Sequence, residues 1–371
     1  MDIPRKPMKI LSELCKNGYK CHLVGGCVRD GLLGRPIHDW DMTTSALPQQ
    51  VMAVFPKTVP TGIAHGTVTV VWEGEHFEVT TYRTDGDYDD NRHPESVQFV
   101  TNLAEDLARR DFTINAMALD MDGNLTDLYG GQDDLRDGLI RCVGDPRRRF
   151  QEDALRMLRC VRFSAQLGFE IEDSTEKAME SLAFLCETLS VERVRDEVEK
   201  ALLSPNPEKV ADMAKLGLLV PWIGRKILDL SHLQALPPAR IIRWAGLCQA
   251  VPELDLKAMR LDKKSAEIAT KSAQNPCPTR QLDLKILISQ QGWEVARCTA
   301  NLWGQTAQLE TISNRGDCVL LGDLAVNGSD FPQLQGRKIG QLLQKLLSHV
   351  LVHPEDNQRQ ILLALGQQTE R

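Results

Sequence analysis

Several common signatures are missing from this chain. Its ten cysteines, at 15, 21, 27, 142, 160, 186, 248, 277, 298 and 318, form no Cys-x-x-Cys pair. Zinc frameworks and secreted disulfide scaffolds need clustered spacings, so these read as reduced thiols and the chain as cytoplasmic. No run of about 18 apolar residues occurs, which excludes a transmembrane helix and a membrane partner. The opening MDIPRKPMKILSELCKNGYK is a charged lead-in to an amphipathic helix, not a signal peptide. Neither GxxxxGK[ST] nor GxGxxG is present, so the nucleotide loops that those motifs build are absent. There is no internal repeat and no low-complexity segment. The net charge of −7 argues against non-specific nucleic-acid binding by the whole surface.

Local charge is different. Between Arg141 and Arg162, seven arginines (141, 147, 148, 149, 156, 159, 162) stand against three acids. Lys257, Arg260, Lys263, Lys264 and Lys271 form a second basic cluster. Such patches on an acidic protein suit one defined polyanionic ligand.

A chain of 371 residues is expected to form two or more units. The first 140 residues mix strands and helices. YKCHLVGG reads as a strand ending at a glycine pair, VRDGLLG as a short helix and IHDWDMTTSA as the next strand. GTVTVVWEGEHFEVTTYR reads as a strand pair turning at Glu73-Gly74-Glu75. DGDYDDNRHPES, residues 85–96, is acidic and aperiodic and reads as a mobile loop. SVQFVTN resumes a strand, LAEDLARRDFTINAMAL reads as a helix, and MDGNLTDLYGG as a closing hairpin. After Gly144 apolar residues recur at helical spacing, punctuated by Pro205, Pro207, Pro221, Pro237 and Pro238. Trp222, Trp244, Trp293 and Trp303 read as core.

The pair Asp39 and Asp41 poses a chemical question. On a strand both carboxylates point the same way and repel. A solvent-facing strand end before the cap Thr43-Thr44-Ser45 would account for them. Three other features favour a cation. Gly25-Gly26 opens a helix N-terminus, where backbone N–H groups hold phosphate oxygens. Arg29 follows on the same turn. Glu78 puts a third carboxylate in the otherwise apolar and β-branched strand HFEVTTYR. Hard cations with oxygen ligands fit this set, and Mg²⁺ with a substrate phosphate is the commonest case. Two such ions about 3.5–4 Å apart stabilise the attacking and leaving oxygens of nucleotidyl transfer. His38, on the opposite strand face, reads as packing.

GGCVRDGLLG followed by DWDMTTSA resembles the signature of the DNA polymerase β-like nucleotidyltransferases. More narrowly, it is similar to the bacterial class II tRNA nucleotidyltransferase and poly(A) polymerase family. The likeness continues through RRDFTINAMA (109–118), DLYGG (127–131) and EDALRMLRCVRF (152–163). It implies an α+β head of the polymerase β-like type, a mixed sheet with helices, followed by an elongated all-α neck, body and tail. Proline positions and family layout place the head at 1–140, the neck at 141–206, the body at 207–265 and the tail at 266–371.

EDALRMLRCVRF also has a reading of its own, as a largely buried helix in which Arg156 follows Asp153 by three residues. An intrahelical salt bridge is one account. In the other, Asp153 accepts from an exocyclic amine while Arg156 donates to a ring nitrogen. Cytosine and adenine offer that pattern, whereas guanine and uracil present its reverse, so the pair selects C and A. In the resembled family the matching residues serve as such a protein template. Arg159, Arg162 and Arg110 then fall to the triphosphate. Asp111 suits a ribose 2′-OH or an ion pair with Arg109 or Arg110.

The resemblance implies attack by a tRNA 3′-OH on the α-phosphate of CTP or ATP, with Asp39, Asp41 and Glu78 at the metal and Mg²⁺ the only cofactor. The site set is thus catalytic Asp39, Asp41 and Glu78, and nucleotide-binding Gly25, Gly26, Arg29, Arg110, Asp111, Asp153, Arg156, Arg159 and Arg162. Asp39 and Asp41 are the metal ligands. No protein partner is implied. By the resemblance, the complete loop at 85–96 favours full CCA addition over CC-only addition, while A-only addition and poly(A) synthesis stay open as alternatives, the net acidity counting against the latter. A catalytically silent RNA binder is disfavoured, since Asp39, Asp41, Asp153 and Arg156 are all present. His232, His349 and His353 are not spaced for a metal phosphohydrolase.

Overall fold

The structure, a computed structural model, describes residues 2–85 and 97–368. The acidic loop expected to distinguish C from A addition therefore lies outside the described residues, Asp85 backbone apart. The chain divides into two compact units, Met1–Leu228 and Asp229–Arg371.

The first unit is built on a seven-stranded mixed sheet. Its strands are β1 (Cys21–Val24), β2 (Met42–Thr44), β3 (Thr58–Gly62), β4 (Thr67–Trp72), β5 (Glu75–Thr81), β8 (Met117–Leu119) and β9 (Leu125–Asp127). Two more, β6 (Arg83–Asp85) and β7 (Val97–Phe99), pair with each other as a separate ribbon. The sheet order is β3-β4-β5-β2-β1-β8-β9. β1 runs antiparallel to β2 and β8, while β2 and β5 are parallel, with Met42 beside Val79. The β4–β5 turn falls at Glu73 and Gly74, both at positive φ.

Helix α1 (Arg5–Lys16) buries Ile10, Leu11 and Leu14 and packs on β1. Helix α2 (Gly26–Leu32) leaves the sheet directly from β1, and α3 (Pro48–Val54) follows β2. Leu107 of α4 (Leu103–Ala108) packs with Val24 and Ala118. Beyond α5 (Gly131–Asp137), helices α6 (Pro146–Glu152), α7 (Leu155–Leu167), α8 (Asp173–Leu182), α9 (Val191–Leu202), α10 (Val210–Lys215) and α11 (Val220–Ile223) complete the unit. Among them α7 is central, with Met157, Leu158, Cys160 and Val161 wholly buried, and it packs against α9.

Four local expectations give way. Residues 35–41 carry no regular structure, so Asp39 and Asp41 precede the strand instead of sitting within it. β1 offers only four residues before Gly25 turns into α2, and β2 can extend no further than its partner. The segment read as one helix over LAEDLARRDFTINAMAL stops at Ala108. Arg141 O accepts Thr113 N and Asp111 O accepts Val143 N, and this tertiary pairing overrides helix propensity. EDALRMLRCVRF is likewise not one helix. α6 ends at Glu152, and Asp153, at φ −144° and ψ 106°, re-caps the chain by accepting Leu155 N at 3.0 Å. Lastly, Leu139–Ile140 pairs with Glu170–Ile171, a short parallel contact in a region read as all-helical.

The second unit contains α12 (Arg240–Ala250), α13 (Lys263–Gln274), α14 (Gln281–Leu302), α15 (Thr306–Arg315), α16 (Arg337–Val352) and α17 (Arg359–Gln368). Gly292, at φ 84° and ψ 170°, kinks α14. Lys285 and Asp317 form a buried ion pair at 2.9 Å. Trp244 is core, but Trp303 is exposed and donates to Asn275 O.

Candidate active site

The acidic end of the site lies where β1 ends and β2 begins, beside the middle of β5. Val24 N donates to Asp41 O at 3.0 Å, which ties Asp41 to the end of β1. Stepping back one residue from the Met42–Val79 pair brings Asp41 level with Glu78 on the same sheet face. Glu78 is exposed there, between inward-facing Phe77 and Val79, so its strand does not bury an unpaired acid as expected. Asp39 and His38 are both exposed, and His38 is not packing. The Asp41 carboxyl lies above its ordinary range: desolvation is the largest cause, Glu78 adds to it, Arg110 opposes it and Asp39 adds again. Asp41 still meets solvent, so the repulsion among the three acids is the cause we weigh most. Among the described residues no three His, Cys, Asp or Glu side chains converge closely enough to hold a metal ion.

Gly25 brings an arginine to these acids. Its φ of 72° and ψ of −133° suit only glycine, and a Cβ there would lie 3.4 Å from Arg110 Nη1 and 4.0 Å from Asp41 Oδ2. Arg110 is anchored from behind by Asp106, whose Oδ2 accepts Arg110 Nη2 and Thr43 Oγ1, each at 3.2 Å. Asp106 Oδ1 accepts two bonds from Arg109, at 3.0 and 2.7 Å. Arg110 Nε is buried with no hydrogen-bond partner, an available donor beside the acidic end. Gly26 opens α2 next to it.

A second cluster forms around the ring of Phe163. The guanidinium carbons of Arg29, Arg159 and Arg162 lie 5.0, 5.4 and 4.0 Å from its centroid. A chain of bonds ties Arg29 to Arg159. Arg29 Nη1 donates to Asn115 Oδ1 at 2.8 Å, and Asn115 Nδ2 donates to Asp111 Oδ1 at 3.2 Å. Asp111 Oδ2 accepts Arg159 Nε and Nη2 at 2.9 and 2.6 Å. Burial alone would push the Asp111 carboxyl up, but Arg159 outweighs it and holds the group well below the usual range. Thus Asp111 pairs with Arg159, not with either neighbouring arginine. Burial pushes Arg162 down to about 10 despite Glu197, whose Oε2 is 2.6 Å from Arg162 Nε. A cleft of about 500 Å³ opens beside this cluster, lined by Arg29, Arg35, His38, Arg162 and Lys200.

The third cluster holds Asp153 and Arg156. Asp153 Oδ2 accepts Arg193 Nη2 at 2.9 Å. Arg156 Nη1 donates to Glu152 Oε2 at 2.6 Å and to Arg149 O at 3.0 Å, while Nη2 donates to Arg109 O at 3.1 Å. Each member of the expected pair therefore has its own partner.

Asp106, Asn115, Glu152, Phe163, Arg193 and Glu197 escaped the reading of the sequence. Asp106 precedes Arg109 and Arg110 by three and four residues, and Glu152 precedes Arg156 by four, so these two carried a spacing signal. Asn115, Arg193 and Glu197 act across long sequence separations and carried none.

Residues 21–141 match the family described as "Poly A polymerase head domain", and 168–223 match "Probable RNA and SrmB- binding site of polymerase A". The chain is 42 % identical over 369 residues to the CCA-adding enzyme of Geobacillus thermodenitrificans, covering 93 % of this chain and 91 % of that one. It is 56 % identical to the CCA-adding enzyme of Oceanobacillus iheyensis over 195 residues, 53 % of this chain and 49 % of that one. The fold superposes on the Bacillus stearothermophilus CCA-adding enzyme in complex with CTP with a TM-score of 0.82, at 34 % identity over 99 % and 98 % of the two chains. The Thermotoga maritima CCA-adding enzyme complexed with tRNA has the same fold, with a TM-score of 0.72 at 20 % identity over 100 % and 97 %. With that identity sustained along nearly its whole length, the chain belongs to the CCA-adding enzymes, the tRNA nucleotidyltransferases.

Proposed function

We propose that the three clusters divide the work of CCA addition between charge neutralisation, phosphate holding and base reading. The chain adds C, C and then A to the 3′ end of tRNA from CTP and ATP. In each addition the RNA 3′-oxygen bonds to the α-phosphorus, the bond from that phosphorus to the β-phosphate breaks, and pyrophosphate leaves.

Asp39, Asp41 and Glu78 are the catalytic acids, with Asp39 and Asp41 holding Mg²⁺. The fit rests on the donor set: oxygen ligands whose mutual repulsion already lifts Asp41, and which a hard divalent cation would relieve. When bound, Mg²⁺ supplies the charge that makes the 3′-OH more acidic and screens the triphosphate. Gly25 and Gly26 let phosphate oxygens approach backbone N–H groups, and Arg110 offers its unpartnered Nε. Arg29, Arg159 and Arg162 form a cationic wall for the triphosphate. Asp111 would accept from the ribose 2′-OH in exchange for one of the four bonds its oxygens now accept, from Phe112 N, Asn115 Nδ2 and Arg159 Nε and Nη2. Asp153 and Arg156 read the Watson–Crick edge.

The single observation that carries this reading is the convergence at the helix start of Arg110 Nη1 and Asp41 Oδ2, both within 4.0 Å of where a side chain on Gly25 would begin. Residues 1–140 serve as head, 141–206 as neck, 207–265 as body and 266–371 as tail, the helical parts gripping tRNA through phosphate and shape. Ten free thiols suit a cytoplasmic setting. The test uses tRNA transcripts ending at the discriminator base, at –C or at –CC, with Mg²⁺ and CTP, ATP or both. Addition of C, C and A that then stops is the expected product. Unlimited A, or arrest after two C, would refute the reading.

A further inference from the structure

Asp153 stands at the break between α6 and α7, where no helix hydrogen bond fixes its side chain. Its two oxygens are nevertheless both held. Oδ1 accepts Leu155 N at 3.0 Å, and Oδ2 accepts Arg193 Nη2 at 2.9 Å. Arg193 comes from α9, 40 residues further on. It is carried on a firm support, since Val194 and Val198 are buried and α9 packs along α7. Its Nη1 is buried with no hydrogen-bond partner, so the guanidinium is committed to Asp153 without being satisfied by its surroundings.

We infer that Arg193 is a positioning residue for base selection, fixing the carboxylate of Asp153 as an oriented, acceptor-only group. The inference rests on the reading that Asp153 and Arg156 recognise the base. Discrimination against uracil and guanine needs Asp153 to present an acceptor where those bases present a carbonyl. A carboxyl that carried a proton would present a donor there, and one that rotated freely would carry its acceptor out of line with the base edge; either would tolerate the wrong base. The Leu155 N–H and Arg193 together block rotation. The cation also favours the form with no proton to donate. Each oxygen keeps a second lone pair for the incoming amine. A purely structural tie between α9 and the α6–α7 junction would make no difference to which base is accepted.

The experiment measures UMP against CMP incorporation on a transcript ending at the discriminator base, with the full chain, alongside competition binding of UTP and CTP. Arg193→Gln is expected to raise the U-to-C ratio about tenfold or more, the size of one lost charge-assisted hydrogen bond. Arg193→Lys keeps the charge and one donor, and the expected ratio is intermediate. In an Asp153→Ala background, adding Arg193→Gln should leave the ratio where Asp153→Ala put it. A folded Arg193→Gln protein with the wild-type ratio overturns the inference, as does the same increment with Asp153 absent. If Arg193→Gln does not fold, a wild-type ratio in Arg193→Lys overturns it instead. Wild-type selectivity in Asp153→Ala would strike down the base-reading assignment itself, and the inference with it. Relaxed selectivity in Asp153→Ala with none in the Arg193 variants strikes down Arg193's role alone.

Discussion

Asp106→Asn tests whether the catalytic face is built from behind. Asp106 is wholly buried and accepts two bonds from Arg109 and one each from Arg110, Thr43 and the Arg83 backbone N–H. Asparagine keeps the shape, but it removes the charge and turns an –NH₂ toward groups that are themselves donors. Removing one partner of a buried ion pair costs about 3–5 kcal/mol. The two arginines retain some solvent contact, 17 % and 18 % of their side-chain area, so about 2–3 kcal/mol is the better figure. At about 2–4 °C per kcal/mol for a unit of this size, its Tm should fall by roughly 5–10 °C. Because Asp106 holds Arg110 against Gly25, KM for CTP should also rise, about tenfold for one charge-assisted bond misplaced. The pH dependence has a definite sign. Burial pushes the Asp106 carboxyl up, but Arg109 and Arg110 outweigh it and leave it lower than the ordinary value. Its stabilisation is therefore complete above about pH 4, the unfolded value, and fades as pH falls through the lower folded one. Thermal melts of wild type and variant from pH 7 downward should converge below about pH 4. A variant melting with wild type at pH 7, or a gap that stays constant to acid pH, would refute the reasoning.

Three further substitutions probe the other parts of the site. Asp41→Asn should lower addition by about a hundredfold or more, the scale of lost metal charge stabilisation. It should leave Tm equal to or above wild type in calorimetry, because a carboxyl already lifted by its neighbours contributes no stability. Gly25→Ala forces a side chain onto a φ of 72° and ψ of −133°, at a cost of about 1–3 kcal/mol. A lower Tm and weaker CTP binding should appear together in melts and titration calorimetry, and wild-type values for both would contradict the assignment. Phe163→Leu removes the ring shared by three guanidiniums and its edge contact with Phe112 at 5.7 Å, worth about 1–3 kcal/mol in all. Initial-rate kinetics should show KM for CTP and ATP rising together, with the C-to-A preference unaltered.

The chemistry of the site was legible because it resides in residue types at short spacing. A glycine pair, an Asp-x-Asp, Arg110-Asp111 and Asp153 with Arg156 each state a donor or acceptor role that survives errors in secondary structure. The strand assignment failed for both acids, yet Asp41 is still bonded to the end of β1, and Asp39 is near enough to help lift its carboxyl. Here the limit was β1, which stops at Val24, opposite Asp41, and leaves residues 35–40 with no strand to pair with. Periodicity describes what a segment prefers, whereas strand length is set by its neighbour.

What could not be read were the residues that hold Asp153 and Arg156 in place. Asp153 and Arg156 look like a self-contained pair at helical spacing, but the helix breaks at Asp153 because its own side chain caps Leu155 N. Once the break exists, the two side chains need separate supports. Glu152, four residues before Arg156, supplies one and is local. Arg193 supplies the other from a helix 40 residues away. The same helix sends Glu197 to Arg162, one turn after Arg193 and therefore on the same face. By itself α9 reads as an ordinary amphipathic helix with charges at four-residue spacing, and that pattern is as well explained by solvent. Only the packing of α9 along α7 turns one charged stripe into a brace for both Asp153 and Arg162.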